Sequence, residues 1–321
     1  MKPVVNHVMS QDIASGIFTD ILAYFQQFGS DQATHVVSTA PVPDAQVYHY
    51  HRPQLEKQFL PNSVCTVHHD LGETDTWLTL PRFMPRYKES AAVICLNTLQ
   101  RQRLIEEGLP PSKLHVVAHG YNDRILTAKA PRRFDAEKKL TLGLVSRRYG
   151  RRVKGEAYLY ELAKRLPPSR VQFLLVGQDR MIDAQVFRSL GYDVRCYERL
   201  PYRCFNDLYQ EMDFLLMTSQ FEGGPANIPE AVATGTPVLA NPIGMAYDYV
   251  QNGVNGLHLT MDVNVDARTV LGLLRNQAGV TDRLYQGASK RTQSALTWKQ
   301  SIEGNVAVHL SVAKDASLFL P

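Results

Sequence analysis

Glu222 and Glu230 stand with seven residues between them in the segment Ser219-Gln220-Phe221-Glu222-Gly223-Gly224-Pro225-Ala226-Asn227-Ile228-Pro229-Glu230. Ionised carboxylates only accept hydrogen bonds, so two of them suit a ligand rich in hydroxyls and leave its phosphates to other groups. Gly223 and Gly224 let backbone approach a ligand, and the N–H groups of a helix starting just beyond them point to the same place. A pyrophosphate is the natural guest. The helix grammar is consistent: Asn227 is an N-cap, Pro229 falls in the first turn, Glu230 follows three residues after the cap, and Gly235 with Pro237 ends the helix. Each carboxylate also has a plainer reading, Glu230 as the closing half of a capping box and Glu222 as a solvated loop residue.

A second loop supplies the positive charge these carboxylates lack. Ser146-Arg147-Arg148-Tyr149-Gly150-Arg151-Arg152-Val153-Lys154-Gly155 follows an apolar strand, where a doubly wound sheet places its ligand loop. A guanidinium and an ammonium there would neutralise a diphosphate leaving group. The alternative is an ordinary solvated basic loop. Elsewhere, Thr66-Val67-His68-His69 closes another apolar run. Neighbouring strand side chains point to opposite faces, so at most one of the two histidines can face a cleft, and a satisfied core histidine is the plainer reading of either. His49 and His51 share a strand face but lack a third ligand, and no Asp-x-Asp occurs, so no metal ligand set is expected.

Stepping outward, 321 residues exceed what one core usually serves, and two domains are expected. Strand candidates at 4–9, 34–39, 46–51, 63–69, 91–97 and 114–120 alternate with helical stretches. A polar, basic stretch then breaks the rhythm, and strands resume at 140–146, 171–177, 194–197, 213–219, 237–241 and 256–259, with helices over 156–166, 205–212 and near 229–234. This predicts one α/β domain over 1–122, a linker over 123–139 and a second α/β domain over 140–296.

Bulk properties exclude several classes. With 35 basic and 31 acidic residues the net charge of +4 is too small for a dedicated nucleic-acid binder, which is not the favoured partner. Cys65, Cys95, Cys196 and Cys204 show no CxxC spacing and read as reduced core thiols. The start lacks a signal-peptide core, and no run approaches the length of a membrane span. The expected location is the cytoplasm, with peripheral contact at the inner membrane face as an open variant.

Together these residues resemble the retaining GT-B glycosyltransferases of family 4 (glycosyl transferases group 1), whose signature is two glutamates at the spacing of Glu222 and Glu230. Glu230-Ala231, Ala233-x-Gly235-x-Pro237-Val238 and Asn252-Gly253-Val254-Asn255-Gly256-Leu257 fit the same pattern. The resemblance implies an α/β GT-B fold, two Rossmann-like α/β/α domains facing across a cleft, with a terminal helix at 297–321 crossing back to the first domain. It implies that Glu230 holds the donor ribose and Glu222 the donor sugar's hydroxyls. Arg147 or Arg148, with Lys154, would grip the donor phosphates, and His68 would reach the donor sugar. Ser15-Gly16-Ile17 resembles the glycine turn that meets donor phosphate or acceptor, with Ser15 replacing a second glycine. Val116 to Asn122 resembles the end-of-domain turn.

The activity so implied is retaining, metal-independent transfer from a UDP- or GDP-linked sugar to a hydroxyl acceptor such as a glycan or glycolipid, with no cofactor because the nucleotide-sugar is a substrate. Acceptor-side candidates are His69, Asp70 and Trp77, at the edge of a stretch over 70–88 whose Arg, Phe, Tyr and Lys residues suit an anionic lipid or sugar chain; an ordinary surface helix is the plainer reading. The alternatives are a GT-B nucleotide-sugar epimerase and a non-catalytic module that binds glycan or nucleic acid.

Overall fold

Strands buried on both faces mark a parallel sheet covered by helices on each side, and most strands of this chain are of that kind. In a computed structural model that describes residues 2–9 and 16–317, the chain divides into two compact units, Met1–Gly120 with Leu296–Pro321, and Tyr121–Ala295. Each is built on a six-stranded sheet, and every strand pair in both sheets is parallel.

The first unit runs β1 (Val4–Val8), α1 (Gly16–Phe28), β2 (Thr34–Ser38), β3 (Val47–Tyr50), β4 (Ser63–Val67), α2 (Leu80–Glu89), β5 (Ala92–Cys95), α3 (Thr98–Glu106) and β6 (Leu114–Val116). Strand order is β2-β1-β3-β4-β5-β6. Side chains alternate across the sheet with period two. On one face Tyr50, Cys65, Val67, Val93 and Cys95 pack with Phe83 and Tyr87 of α2 and Leu104 of α3. On the other, Val5, Val47, Val64 and Ile94 pack with Val308 and Val312. Burial pushes the Cys65 and Cys95 thiols up to about 12, so they are inert apolar filling.

The second unit runs β7 (Leu140–Val145), α4 (Glu156–Ala163), β8 (Val171–Val176), α5 (Arg180–Ser189), β9 (Asp193–Tyr197), α6 (Phe205–Glu211), β10 (Phe214–Met217), α7 (Asn227–Ala233), β11 (Val238–Ala240), α8 (Met245–Tyr249), β12 (Gly256–His258), α9 (Val263–Leu274) and α10 (Val280–Lys290). Its order is β12-β11-β10-β7-β8-β9. The chain builds outward from β7 to β9, then returns to the other side of β7 with β10. The direction of winding therefore reverses between β7 and β10, and in such sheets ligands bind beyond the carboxyl ends of the strands at that reversal. The polar stretch over 123–139 runs along this unit: the Lys129 N–H donates to the Thr234 carbonyl at 3.0 Å and Arg132 pairs with Asp213 at 3.0 Å.

Helix α11 (Trp298–Ser317) belongs to the first unit. Trp298, Ile302 and Val306 pack against Ile21 and Phe25 of α1. Among the described residues no helix is long and apolar enough to cross a membrane.

Candidate functional site

The loops that leave β7 and β10 are fastened to each other. Thr218 Oγ1 donates to the Lys154 carbonyl at 2.9 Å, and the Gln220 N–H donates to the Val153 carbonyl at 2.8 Å. The approach is close enough to require glycine. Gly155 has φ +79°, and a β-carbon there would lie 1.9 Å from the Thr218 carbonyl oxygen. Gly244, at φ +53°, holds the other side, where a β-carbon would lie 2.6 Å from the Glu222 carbonyl oxygen.

This framing brings Lys154 and Glu222 together. The Lys154 ammonium is bonded to Glu222 Oε1, and the Ser219 hydroxyl donates to the same oxygen at 2.7 Å. Tyr149 joins the group: its ring centroid lies 5.3 Å from Arg147 Cζ and 5.5 Å from Lys154 Nζ, within cation–π range of both. Arg147 is exposed. Arg148 faces the other way, its Nε 3.2 Å from Oδ1 of the fully buried Asp183. Tyr160 donates to that oxygen too, while Arg180 takes Asp183 Oδ2 at 2.7 Å and the Ser146 carbonyl and hydroxyl at 2.8 and 2.7 Å. One arginine of the pair is thus presented to solvent beside Lys154, and the other anchors the base of the loop.

Asn227 does not cap α7 as the sequence suggests. Ala226 holds the cap position, and the Asn227 amide donates to the Val145 carbonyl at 2.9 Å. Asn227 is buried, and an interior carbonyl at the end of β7 needs that donor. Glu230 is likewise not closing a capping box. It is buried, with the Tyr202 hydroxyl on Oε1 at 2.6 Å and the Tyr209 hydroxyl on Oε2 at 2.8 Å. Burial pushes its carboxyl up to about 7, against the two phenol hydrogen bonds that favour the anion. Beside Tyr202 a recess of about 520 Å³ is lined by Val176, Gly177, Arg199, Pro201 and Phe205. Another recess, of about 470 Å³, lies at the amino ends of β7 and β8 among Arg132, Lys139, Thr141 and Arg170. The carboxyl-end loops are the better candidate because the winding reverses there. Gly223 is buried and Gly224 half-buried, and neither adopts a left-handed backbone.

In the first unit β4 stops at Val67, yet the two following histidines still diverge. His68 lies on the face with α1, its ring 4.8 Å from Phe18 and 5.9 Å from His51 and His119. Burial, then the neighbouring histidines, hold it well below its ordinary range, so it is neutral. His69 stacks on Phe83 at 3.8 Å across the other face, and burial lowers it to about 4. Asp70 accepts the Gly72 N–H at 2.7 Å within its own turn. Trp77 is 67% exposed, with the Arg82 guanidinium 4.5 Å over its ring. Gly16 is the first residue of α1, and Ser15 lies outside the described residues.

Period two also puts His7, His49, His51 and Thr66 on the His68 face, where α11 adds His309. His7 bonds His51 at 3.0 Å and His35 at 2.9 Å, and His49 bonds His309 at 3.0 Å and Thr66 at 2.8 Å. His7, His49 and His51 each offer a nitrogen within 4.8 Å of the others, the third ligand that the strand pair alone lacks. However, the His49 and His51 rings lie 4.2 Å apart at 25°, so their in-plane lone pairs run side by side instead of converging, and both nitrogens of His7 and of His49 already have partners. The group reads as a hydrogen-bonded neutral core.

Sequence reasoning did not find Tyr202, Tyr209, Asp183, Arg180 or Gly244. None lies in a motif with regular spacing. The sequence signal nearest to hand was Gly244 itself, a glycine in a polar break just after an apolar strand.

Residues 128–291 match the family model described as glycosyl transferases group 1. A sucrose synthase from Melioribacter roseus is 34% identical over 84 residues, which are 25% of this chain and 10% of that protein. The chain therefore spans about a tenth of the length of that curated relative. Among solved structures, a sucrose-phosphate synthase from Thermosynechococcus elongatus superposes with a TM-score of 0.72 at 17% identity, over 99% of each chain. A glycosyltransferase from Rickettsia africae gives 0.70 at 14%, over 98% of this chain and 99% of that one. HepE from Anabaena, solved in complex with UDP and glucose, gives 0.69 at 15%, over 99% and 100%. At these identities the likeness is one of fold, two Rossmann-like domains of the GT-B type.

Proposed function

The chain belongs to the glycosyl transferases group 1 family, and from that premise we propose that it is a retaining, metal-independent glycosyltransferase moving a sugar from a UDP- or GDP-linked donor to a hydroxyl of a glycan or glycolipid. The observation that carries this reading is the Lys154–Glu222 pair at the reversal between β7 and β10. A cation for phosphate and an acceptor for sugar hydroxyls are held together by loops that only glycine permits to approach so closely. The relative solved with UDP and glucose supports a uridine-linked donor.

In this reading the donor diphosphate draws the Lys154 ammonium off Glu222, and Arg147 adds a second cation. Both neutralise the charge that grows on the departing diphosphate, the work a metal would otherwise do. Glu222, released, accepts from the sugar hydroxyls beside the reacting carbon. Glu230 accepts from the ribose, with the base in the recess lined by Pro201 and Phe205. The acceptor oxygen bonds the anomeric carbon from the leaving group's side as the carbon–oxygen bond to diphosphate breaks, and the acceptor's proton passes to the departing phosphate oxygen. Configuration is retained. No protein nucleophile takes part. His68 is assigned to the donor sugar, and His69, Asp70 and Trp77 to the acceptor side.

The test is product formation from radiolabelled UDP- and GDP-sugars with a panel of glycan and glycolipid acceptors. Glu222→Ala, Lys154→Ala and His68→Ala should each lower acceptor-dependent turnover about 100-fold or more, and excess chelator should leave the wild type unchanged. Near-normal transfer by all three variants overturns the reading. Conversion of donor to an epimer without acceptor identifies an isomerase instead.

A further inference from the structure

We propose that Tyr202 and Tyr209 are positioning residues for donor binding: their hydroxyls orient the Glu230 carboxylate and favour its ionised form, so that it receives the vicinal hydroxyls of a nucleoside diphosphate's ribose. The inference rests on the donor reading above and adds two residues and a pH dependence to it.

The geometry is specific. Each Glu230 oxygen accepts one phenol hydrogen, from Tyr202 at 2.6 Å and from Tyr209 at 2.8 Å. A carboxylate oxygen has two lone pairs in its plane, so each keeps one for a second donor. Two remaining sites on one carboxylate match two adjacent hydroxyls. The phenols approach from separate pieces of chain, Tyr202 from the 202–204 turn and Tyr209 from α6, which fixes the plane of the carboxylate. Tyr209 is fully buried and burial pushes its hydroxyl far up, so it stays a donor. Tyr202 is half-buried and directly follows Pro201, which lines the recess assigned to the base. Among the described residues the titratable groups that act on Glu230 are these two phenols, with no cation beside them. The phenols therefore oppose the protonation that burial favours.

A pH signature follows. Burial already pushes Glu230 up to about 7. Only the ionised form accepts from both ribose hydroxyls, so nucleotide affinity should rise with pH through neutrality and level off above it. Removing either phenol hydroxyl removes a bond that favours the anion and moves that rise to higher pH. A tyrosine that merely packs would weaken binding equally at every pH.

The experiment is calorimetric titration of UDP, GDP and their 2′-deoxy forms between about pH 5.5 and 9.5, with wild type, Tyr202→Phe, Tyr209→Phe and Glu230→Gln. The phenylalanine variants keep the rings, and the exposed edge of Tyr202 gives a variant whose folding is not at issue. We expect wild type to bind one ribonucleotide more tightly as pH rises. Both phenylalanine variants should bind about tenfold more weakly at pH 7 and recover most of that by about pH 9. Glu230→Gln and the 2′-deoxy ligand should be weak with no rise near neutrality. Phenylalanine variants with the wild-type pH midpoint, whether weakened uniformly or not at all, overturn the positioning role while leaving the donor reading intact. A wild type that binds neither nucleotide at any pH overturns both.

Discussion

Lys154 and Glu222 neutralise each other where the winding of the second sheet reverses, with only 12% and 10% of their side chains exposed. In the proposed reading each serves as the other's counterion until a donor binds. Removing either strands a charge or its hydrogen-bonding groups in a poorly solvated loop, at a cost of about 1–3 kcal/mol. Lys154→Ala and Glu222→Ala should therefore lower stability as well as transfer. The double variant should cost less than the two singles added together, because neither charge is left facing a missing partner. A double-variant cycle in urea melts measures this, and strict additivity would show that the two do not interact.

Arg147 and Arg148 are adjacent in sequence but should separate cleanly on substitution. Arg148 helps satisfy the buried Asp183, so Arg148→Ala should cost about 1–3 kcal/mol of stability. Arg147 is exposed beside Tyr149, so Arg147→Ala should leave the melting temperature within about 1–2 °C while raising the KM for donor. Paired melting curves and donor titrations decide it, and the reverse pattern would reassign the phosphate contact.

Gly155→Ala places a methyl 1.9 Å from the Thr218 carbonyl oxygen at a positive φ. Backbone strain alone costs about 1–3 kcal/mol, and the clash adds to it. The two loops must part, so transfer should fall further than stability does. Gly108→Ala is the control, since it also has positive φ but meets nothing within 4 Å. Equal losses of activity in both variants would refute the role of close approach.

The histidine core makes the first unit acid-labile. Burial holds His51 and His309 at about 3 and His7 and His49 well below their ordinary range, whereas in an unfolded chain all four titrate near 6.5. Below that value the unfolded state binds more protons, so stability is complete above about pH 6.5 and falls as pH drops toward the folded-state values. Each histidine contributes at most about 1.4 kcal/mol per pH unit. Trp77 and Trp298, the chain's two tryptophans, both belong to this unit, so their fluorescence reports its melting alone. Its midpoint should drop steeply between about pH 6.5 and 5; an unchanged midpoint would mean that the histidines are protonated in the native state.

The contrast between His68 and His69 shows what the sequence carries. Period two along an apolar strand separates neighbouring side chains, and that is enough to send one histidine toward α1 and the other onto Phe83. The two α/β halves and the loop positions of Glu222 and Lys154 were legible on the same grounds, because apolar rhythm and glycine punctuation are local signals. Asn227 was misread because an N-cap is a local expectation and the Val145 carbonyl that claims its amide is 82 positions away. Tyr202 and Tyr209 were invisible for a similar reason: nothing near them in the chain announces a buried carboxylate. The third member of the His49–His51 group comes from β1 and a further partner, His309, from α11, so only the tertiary fold assembles that core.

That α11 completes the first unit has a consequence for how the protein is made. His309, Val308 and Val312 complete the cover of a sheet whose strands are all synthesised before residue 117, so one face of that sheet has α1 but not α11 against it while the second unit is being translated. At ribosomal speeds the wait lasts about 10–40 s, long enough for the second unit to form first. The first unit's core is complete only once α11 has been made.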